Sequence, residues 1–564
     1  MDWFKLFSEV IGGLGIFLLG MKYMSEGLQA VSGDRLRKII GAVTNNRVMG
    51  VVIGLLVTCI VQSSSVTTVM VVGFVNSGIM TLMQAIGVIF GANIGTTITG
   101  WILVLKIGKY GLPMLAIAAF FFLFSKRERL RYVGMTIMGI GMVFFGLELM
   151  KNGFKPLRHA EGFETAFHAF QATTYLGIIK CAAVGCIMTM IVQSSSATLG
   201  ITIGLASTGV IEFQTAAALV MGENIGTTIT ALLASLGANT TARRAAYAHV
   251  LFNVFGTSWF IALFPVAIKA LSGLIAHQTG YNPLTIDVND MSPDKFGQII
   301  TAGIALTHTS FNVVNTFMFL PFAGLLAKLV TKLVPEKAAI AETGRLTYFD
   351  VRMVESPALG IVQSHGQLTA MTDTLSKTMR LLRKRLTGTG NETDERVVFR
   401  NEEVLDNIQK EIFLFLNGMV ASEVSHDVAA RAYMHMRVAD ELESIGDYAA
   451  NALKGLKKLE QNRLELKGSS KEGLLELHDR VAQYLARIAD FVKREEADIL
   501  FANSEGAAIT DLMKTLRREH LERLQNKEEE LSPFFSLTYT DMLNFYRRMK
   551  DHALNIAEVV AGEK

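Results

Sequence analysis

The sequence predicts an all-α protein, a polytopic membrane bundle with inverted repeats and two re-entrant hairpins, followed by a polar helical bundle. Three observations predict it. Half of the 564 residues are hydrophobic and only 19% are charged, against about 25% in soluble globular proteins. The charge is uneven: 34 of the charged residues lie in 1–330 and 71 in the remaining 234, with net charges of +8 and −5. A long polar-apolar pattern also recurs 131 residues further on. Disorder, a disulfide scaffold and a single soluble domain are excluded.

A helix crossing a bilayer needs about 20 apolar residues, and runs at 9–31, 84–105, 110–125, 131–151, 213–236, 244–271 and 297–328 qualify. The stretches 48–79 and 176–209 are instead broken by Gln62-Ser63-Ser64-Ser65 and Gln193-Ser194-Ser195-Ser196. Read as hairpins that leave by the side they enter, they bring four basic clusters together: Arg35, Arg37, Lys38 and Arg47; Lys126, Arg127, Arg129 and Arg131; Arg243 and Arg244; Lys328, Lys332 and Lys337. The positive-inside rule makes that side cytoplasmic. The N-terminus and Asp287, Asp290 and Asp294 are then external, with Lys151, Lys155 and Arg158 as a dissenting basic loop. The first apolar run follows Met-Asp-Trp-Phe-Lys, without a basic leader or cleavage site, and reads as a retained span.

Repetition organises 1–335. Gly13-x-Gly15-x4-Gly20-x3-Met24-x2-Gly27 returns as Gly139-x-Gly141-x4-Gly146-x3-Met150-x2-Gly153, and Asn-Ile-Gly-Thr-Thr-Ile-Thr occurs at 93–99 and 224–230. Between the Gln and Asn of each copy the register holds without a gap. Repeats at about 9–125 and 131–271 would each hold three crossings and a hairpin, so the odd number inverts the second copy. The span 297–328 is extra. A linker over 336–354 leads to 355–564, where about six amphipathic helices suggest two antiparallel three-helix units.

A hairpin tip inside a membrane must satisfy its backbone or bind something. A helix opening on a serine run offers free N–H groups, a positive dipole end and hydroxyl donors. Two such tips would converge Ser63, Ser64, Ser65, Ser194, Ser195 and Ser196 on a tetrahedral oxyanion. In the paired segments Asn93, Thr96, Thr97, Asn224, Thr227 and Thr228 supply neutral oxygens, and Gly95 and Gly226 permit unwinding; such groups coordinate Na⁺ in transporters. Neither motif has a Lys or Arg, and helix dipoles supply roughly half a charge each, so a divalent anion calls for a co-bound cation. Glu223, where the first copy has Ala92, is an intramembrane carboxylate and a candidate cation or proton site. His249-x2-Phe252-Asn253 and His308-x2-Phe311-Asn312 read as inter-helix hydrogen-bonding pairs. Cys59, Cys181 and Cys186 lack metal or redox spacing and read as small buried hydrophobes. Glu402-x3-Asp406 and Glu443-x3-Asp447 could hold a divalent metal or iron if their helices face each other; a solvated charged face is the simpler reading.

These motifs carry a family resemblance. Both Gln-Ser-Ser-Ser runs, with Gly91-Ala-Asn-Ile-Gly-Thr-Thr97 and Gly222-Glu-Asn-Ile-Gly-Thr-Thr228, resemble the type II sodium–phosphate cotransporters over about 5–335. From about 355 the chain is similar to PhoU-type regulators of phosphate transport, chiefly at Glu443-Ser-Ile-Gly-Asp447 and Asp551-His-Ala-Leu-Asn-Ile-Ala-Glu558. The resemblance implies a Na⁺-coupled inorganic phosphate carrier of the inner membrane, without enzymatic chemistry. Its phosphate ligands would be Ser63–Ser65 and Ser194–Ser196 with Asn93 and Asn224. Its sodium ligands would be Gln62, Thr96, Thr97, Gln193, Thr227, Thr228 and Glu223. Partners expected are phosphate, lipid, a regulatory protein on the C-terminal bundle and a second copy of the chain, with no nucleic acid. A phosphate exporter and a membrane-tethered signalling adaptor are the rival readings.

Overall fold

A computed structural model describes residues 3–41, 46–76, 78, 80–105, 110–159, 170–236, 238–336, 357–421, 424–525 and 532–563. The side chains of Arg35, Arg37 and Lys38, the whole of Lys337 and nearly all of the linker 336–354 lie outside the described residues. The described residues are helical with no strand, and the chain divides into two compact units, Met1–Ala338 and Ala339–Lys564.

In the first unit α1 (Trp3–Gly41) is followed by α2 (Arg47–Val61), α3 (Ser64–Asn76), α4 (Leu82–Thr96), α5 (Ile98–Val104) and α6 (Gly111–Phe124). Then come α7 (Glu128–Phe154), α8 (Tyr175–Val192), α9 (Ser195–Ser207), α10 (Phe213–Gly226), α11 (Ile229–Ala234) and α12 (Thr240–Ala262). α13 (Phe264–Thr279), α14 (Pro293–Phe319) and α15 (Ala323–Leu333) complete it. Among the described residues six segments are long and apolar enough to cross a membrane: Trp3–Ser32, Leu82–Val104, Glu128–Arg158, Tyr175–Val192, Phe213–Ala234 and Pro293–Leu333. The expected span at 244–271 is not one straight helix: α12 and α13 meet at 81°. The expected span at 110–125 is a helix of only 14 residues.

The two glycine motifs are the contact between α1 and α7. A Cβ on Gly13 would lie 2.7 Å from Gly146 O, one on Gly20 2.7 Å from Gly139 O, and one on Gly27 2.8 Å from Tyr132 O. As one residue number rises the other falls, so these matched helices run antiparallel with backbones in contact. Only a missing side chain permits that approach. This is the direction an inverted pair requires.

Glycines also set the hairpins. Gly50 meets Gly87, Gly91 meets Val51 and Leu55, and Gly95 meets Thr58, so α2 and α4 run parallel and the chain returns between them through α3. In the second copy Gly185 meets Leu219, and Gly222 and Gly226 meet Cys186, so α8 and α10 are likewise parallel with α9 returning. Tyr175–Val192 is thus the entering arm of a hairpin, as expected, despite its length.

The hairpins open on opposite sides. The end of α3 is tied to the start of α12, where Asn239 N donates to Asn76 Oδ1 and Asn239 Nδ2 to Asn76 O, both at 2.8 Å. There Arg244 Nε also donates to Val334 O at 2.9 Å. The other end of α12, about 34 Å away at 1.5 Å per residue, accepts from Tyr175 Oη at Ala262 O, the entrance of the second hairpin. On that second side Arg158 reaches Asp287 at 3.5 Å. The dissenting basic loop therefore meets the acidic loop, and their charges compensate locally. The rule-following Arg244 lies at the opposite end.

The second unit contains α16 (Pro357–Thr387), α17 (Glu392–Val420), α18 (His426–Gln461), α19 (Gly468–Arg494), α20 (Ile499–Gln525) and α21 (Pro533–Val560). α16, α17 and α18 pack together, as do α19, α20 and α21, with α18 against α21 and α16 against α19 joining the two triplets. About six helices were expected, and six are described in one compact unit.

The α1–α7 contact yields a prediction. Gly20→Ala places a methyl 2.6 Å from Val143 N and is expected to cost about 1–3 kcal/mol, the range of overpacking. Gly12→Ala, with nothing within 4 Å, is expected to be neutral. Thermal unfolding of the purified variants in detergent checks the difference; equal melting temperatures would contradict the packing.

Candidate oxyanion and cation site

Each hairpin turns on its glutamine. Gln62 and Gln193 adopt the left-handed conformation at φ 55° and 56°, and their N–H groups donate to Thr58 O and Thr189 O, both at 2.7 Å. A non-glycine residue held there reverses the chain within two residues at an energetic cost that the surroundings must offset. Ser63 and Ser194 then cap the return arms: Val66 N donates to Ser63 Oγ and Ala197 N to Ser194 Oγ, both at 3.2 Å. Beyond the caps, the N–H groups of Ser64, Ser65, Ser195 and Ser196 are first-turn donors without helical partners. Their hydroxyls make no hydrogen bond among the described residues. Ser64 and Ser196 are buried; the other four serines are half-buried. The tips therefore present donors and no positive side chain.

The glutamines are not equivalent. Gln62 Nε2 donates to Cys59 O at 2.5 Å, and Gln62 Oε1 accepts from Thr99 Oγ1 at 3.3 Å. The first tip is further held by Ser25 Oγ, which donates to Val61 O at 2.6 Å. Gln193 is exposed, with no such tie among the described residues.

Both Asn-Ile-Gly-Thr-Thr segments break a helix, at Thr97 between α4 and α5 and at Thr227–Thr228 between α10 and α11. Their hydroxyl protons go to local carbonyls: Thr96 to Ala92 O (3.1 Å), Thr97 to Ile94 O (2.8 Å), Thr227 to Glu223 O (2.8 Å) and Thr228 to Ile225 O (2.7 Å). What each threonine then offers is oxygen lone pairs, which suits a cation. Asn93 Nδ2 and Asn224 Nδ2 likewise donate at 2.8 Å to Ile89 O and Val220 O. The reverse orientation would set oxygen against oxygen, so each Oδ1 is turned away from its own helix backbone, that of Asn224 accepting from Asn312 Nδ2 at 3.3 Å. Each asparagine keeps a second N–H on Nδ2 and lone pairs on Oδ1, so it can serve an anion or a cation.

The two copies meet through these breaks. The return arm α3 packs against α11, and α9 against α5. Each serine-tipped arm thus touches the short helix after the other copy's break. Glu223 is 1% exposed and accepts from Thr202 Oγ1 at 2.8 Å, while its Oε2 has no partner. Of the two histidine–asparagine pairs, one bridges helices: Asn312 Nδ2 donates to Asn224 Oδ1 at 3.3 Å, whereas Asn253 Nδ2 bonds only its own helix at His249 O.

In the second unit Glu402, Asp406, Glu443 and Asp447 form one electrostatic group. Lys410 Nζ pairs with Asp406 at 2.7 Å. Among the described residues no group of three His, Cys, Asp or Glu side chains is placed to hold a metal. The expected divalent or iron site at Glu402, Asp406, Glu443 and Asp447 therefore lacks a ligand geometry; one of its carboxylates is already neutralised by lysine.

Comparison with known proteins decides the family. The family model described as Na⁺/Pi-cotransporter matches residues 16–152 and 159–275, which hold both hairpins and both broken helices. Most of the membrane unit thus matches the Na⁺/Pi-cotransporter family. That family is one of carriers, not enzymes. The chain is 24% identical over 480 residues to YjbB of Salmonella typhimurium, provisionally named an inorganic phosphate export protein, covering 85% of this chain and 83% of that one. It is 29% identical over 322 residues to the uncharacterized protein YqeW of Bacillus subtilis, covering 57% of this chain and 96% of the relative. Over 98 residues it is 40% identical to human sodium-dependent phosphate transport protein 2B, 17% of this chain and 14% of the human one. No solved structure matches the chain.

Sequence reasoning missed Ser25, Thr99, Thr202 and the amide link from Asn312. The signal for Thr202 was present: at the 131-residue offset Val71 becomes Thr202 just as Ala92 becomes Glu223.

The bundle carboxylates give a pH prediction. Burial and then the neighbouring Asp447 raise both Glu402 and Glu443 above the usual carboxylate range. A raised folded-state value stabilises the protein while the group is protonated, and that stability is lost as pH rises from the ordinary range through the raised one. Glu402→Gln removes one of the crowded charges. Its melting temperature is expected to exceed wild type by about 2 °C at pH 7.5 and to match it at pH 4. An equal difference at both pH values would contradict the charge crowding.

Proposed function

We propose that the protein is a sodium-coupled carrier of inorganic phosphate in the cytoplasmic membrane, working by alternating access between the two hairpins. The observation that carries this reading is the pair of tips with unclaimed N–H and hydroxyl donors, entering from opposite sides. Phosphate has many acceptor lone pairs and no need of a fixed cation if one travels with it. Ser63, Ser64, Ser65, Ser194, Ser195 and Ser196 would hold it. Gln62, Gln193, Thr96, Thr97, Thr227, Thr228 and Glu223, joined by Asn93 and Asn224, would serve sodium. The inverted repeat gives the motion: one copy's hairpin and broken helix rock against the other's around the shared centre. The N-terminus would be external and the C-terminal bundle cytosolic, where its PhoU-like character would restrain or sense transport.

A second reading, export through the same site, is favoured by the likeness to YjbB, which extends over most of both chains and so takes in the C-terminal unit. Site chemistry is common to both directions; gradients decide between them.

Two outcomes test the proposal. In proteoliposomes an imposed inward sodium gradient is expected to accelerate phosphate uptake at least tenfold over a potassium gradient. Equal rates would remove sodium coupling. Ser64→Ala and Ser195→Ala are each expected to raise the phosphate KM by about tenfold, corresponding to one lost charge-assisted hydrogen bond of about 1.4 kcal/mol, with expression maintained. Unaltered KM in both would remove the serine assignment.

A further inference from the structure

We propose that Asn312, on α14 outside both repeats, supplies an oxygen ligand to a sodium ion held beside the second Asn-Ile-Gly-Thr-Thr segment. This inference rests on the sodium-coupled reading above and assigns a residue that neither the repeat motifs nor the family match contains.

One face of α14 forms the seam between the copies. Ala305 lies against Gly100, Thr309 Oγ1 accepts from Trp101 Nε1 at 2.8 Å, and Thr316 Oγ1 donates to Phe90 O at 3.3 Å. Those partners belong to the first copy. Between them, at Asn312, the helix instead reaches the second copy through Asn224 Oδ1. Asn312 is fully buried and its Nδ2 is engaged twice, with Asn224 Oδ1 and with His308 O at 3.0 Å. Its Oδ1 has no donor. The residue before Asn224 is Glu223, whose Oε2 is also buried and without a partner.

Buried oxygens left without donors require an explanation, and here they are one amide oxygen, Asn312 Oδ1, and one carboxylate oxygen, Glu223 Oε2, a set that calls for a cation. None is supplied among the described residues: α10 and α11 contain no Lys or Arg, Lys180 on α8 is exposed, and those on α12 and α14, Arg243, Arg244 and Lys295, stand in the first turns. Oxygen-only ligation by amide, hydroxyl and carboxylate groups is the chemistry of hard cations, and of sodium at broken transporter helices. Phosphate would be repelled by the same atoms. The first copy lacks this set, having Ala92 for Glu223 and no amide partner for Asn93 among the described residues. Both departures from repeat symmetry thus fall in the second copy, so this ligand set occurs once.

The test is phosphate flux in proteoliposomes as sodium is varied, for wild type, Asn312→Ala and Asn312→Asp, with phosphate KM measured at saturating sodium. Asn312→Ala is expected to raise half-saturating sodium at least tenfold while phosphate KM stays within twofold. Asn312→Asp, which keeps an oxygen and adds charge, is expected to lower half-saturating sodium at least threefold, and it decides the matter if the alanine variant does not fold. A sodium-dependent wild type with half-saturation unchanged in the folded variants overturns the Asn312 assignment alone and leaves a bound water as its partner. A shift in phosphate KM as large as that in sodium also overturns it. A wild type indifferent to sodium overturns the coupling reading together with this one.

Discussion

A chain that reverses direction inside hydrocarbon exposes backbone donors with no water to satisfy them. Here two reversals occur, each at a glutamine in the left-handed conformation and each followed by a helix whose first turn is serine. The rest of the membrane unit is arranged around what those reversals leave open. The return arms pack on the far sides of the broken helices, and α1 and α7 bring their backbones together through glycine so that the two halves stand in opposite directions. A soluble protein would leave such helix ends to solvent. In a membrane they need an occupant, and an oxyanion is the occupant matched by donors alone.

Charge explains the division of labour between the motifs. The tips offer donors and the threonines of the broken helices offer lone pairs, because each of those hydroxyls spends its one proton on its own helix. In the proposed site, anion and cation chemistry would thereby be separated by hydrogen-bond direction rather than by side-chain charge. The site remains nearly neutral when empty, which keeps its burial affordable. Glu223 is the exception, and its partner Thr202 replaces a valine of the first copy.

Much of this was legible in the sequence because repetition has few other causes. The gapless 131-residue offset between Gln and Asn located both hairpins and both breaks, and the oddness of the crossing count implied inversion. The glycines at 13, 20, 139 and 146 were visible as a motif, but their purpose, a backbone contact between copies, needs the third dimension. The bend between α12 and α13 was missed because hydropathy runs on through Leu263 while the direction turns by 81°. The charged loop at Lys151–Arg158 looked like a violation because sequence alone does not show Asp287 opposite it. In the C-terminal unit, amphipathic periodicity gave the helices, whereas the spacing of the carboxylates did not show that Lys410 pairs with Asp406.

The central claim is that one phosphate is enclosed by serines from both hairpins at once. The most direct measurement is a density map of the purified protein saturated with phosphate and sodium. The account predicts a single tetrahedral density within hydrogen-bond reach of Ser64 or Ser65 and of Ser195 or Ser196. Density held by one tip alone, or tips too far apart to share an ion, would contradict it.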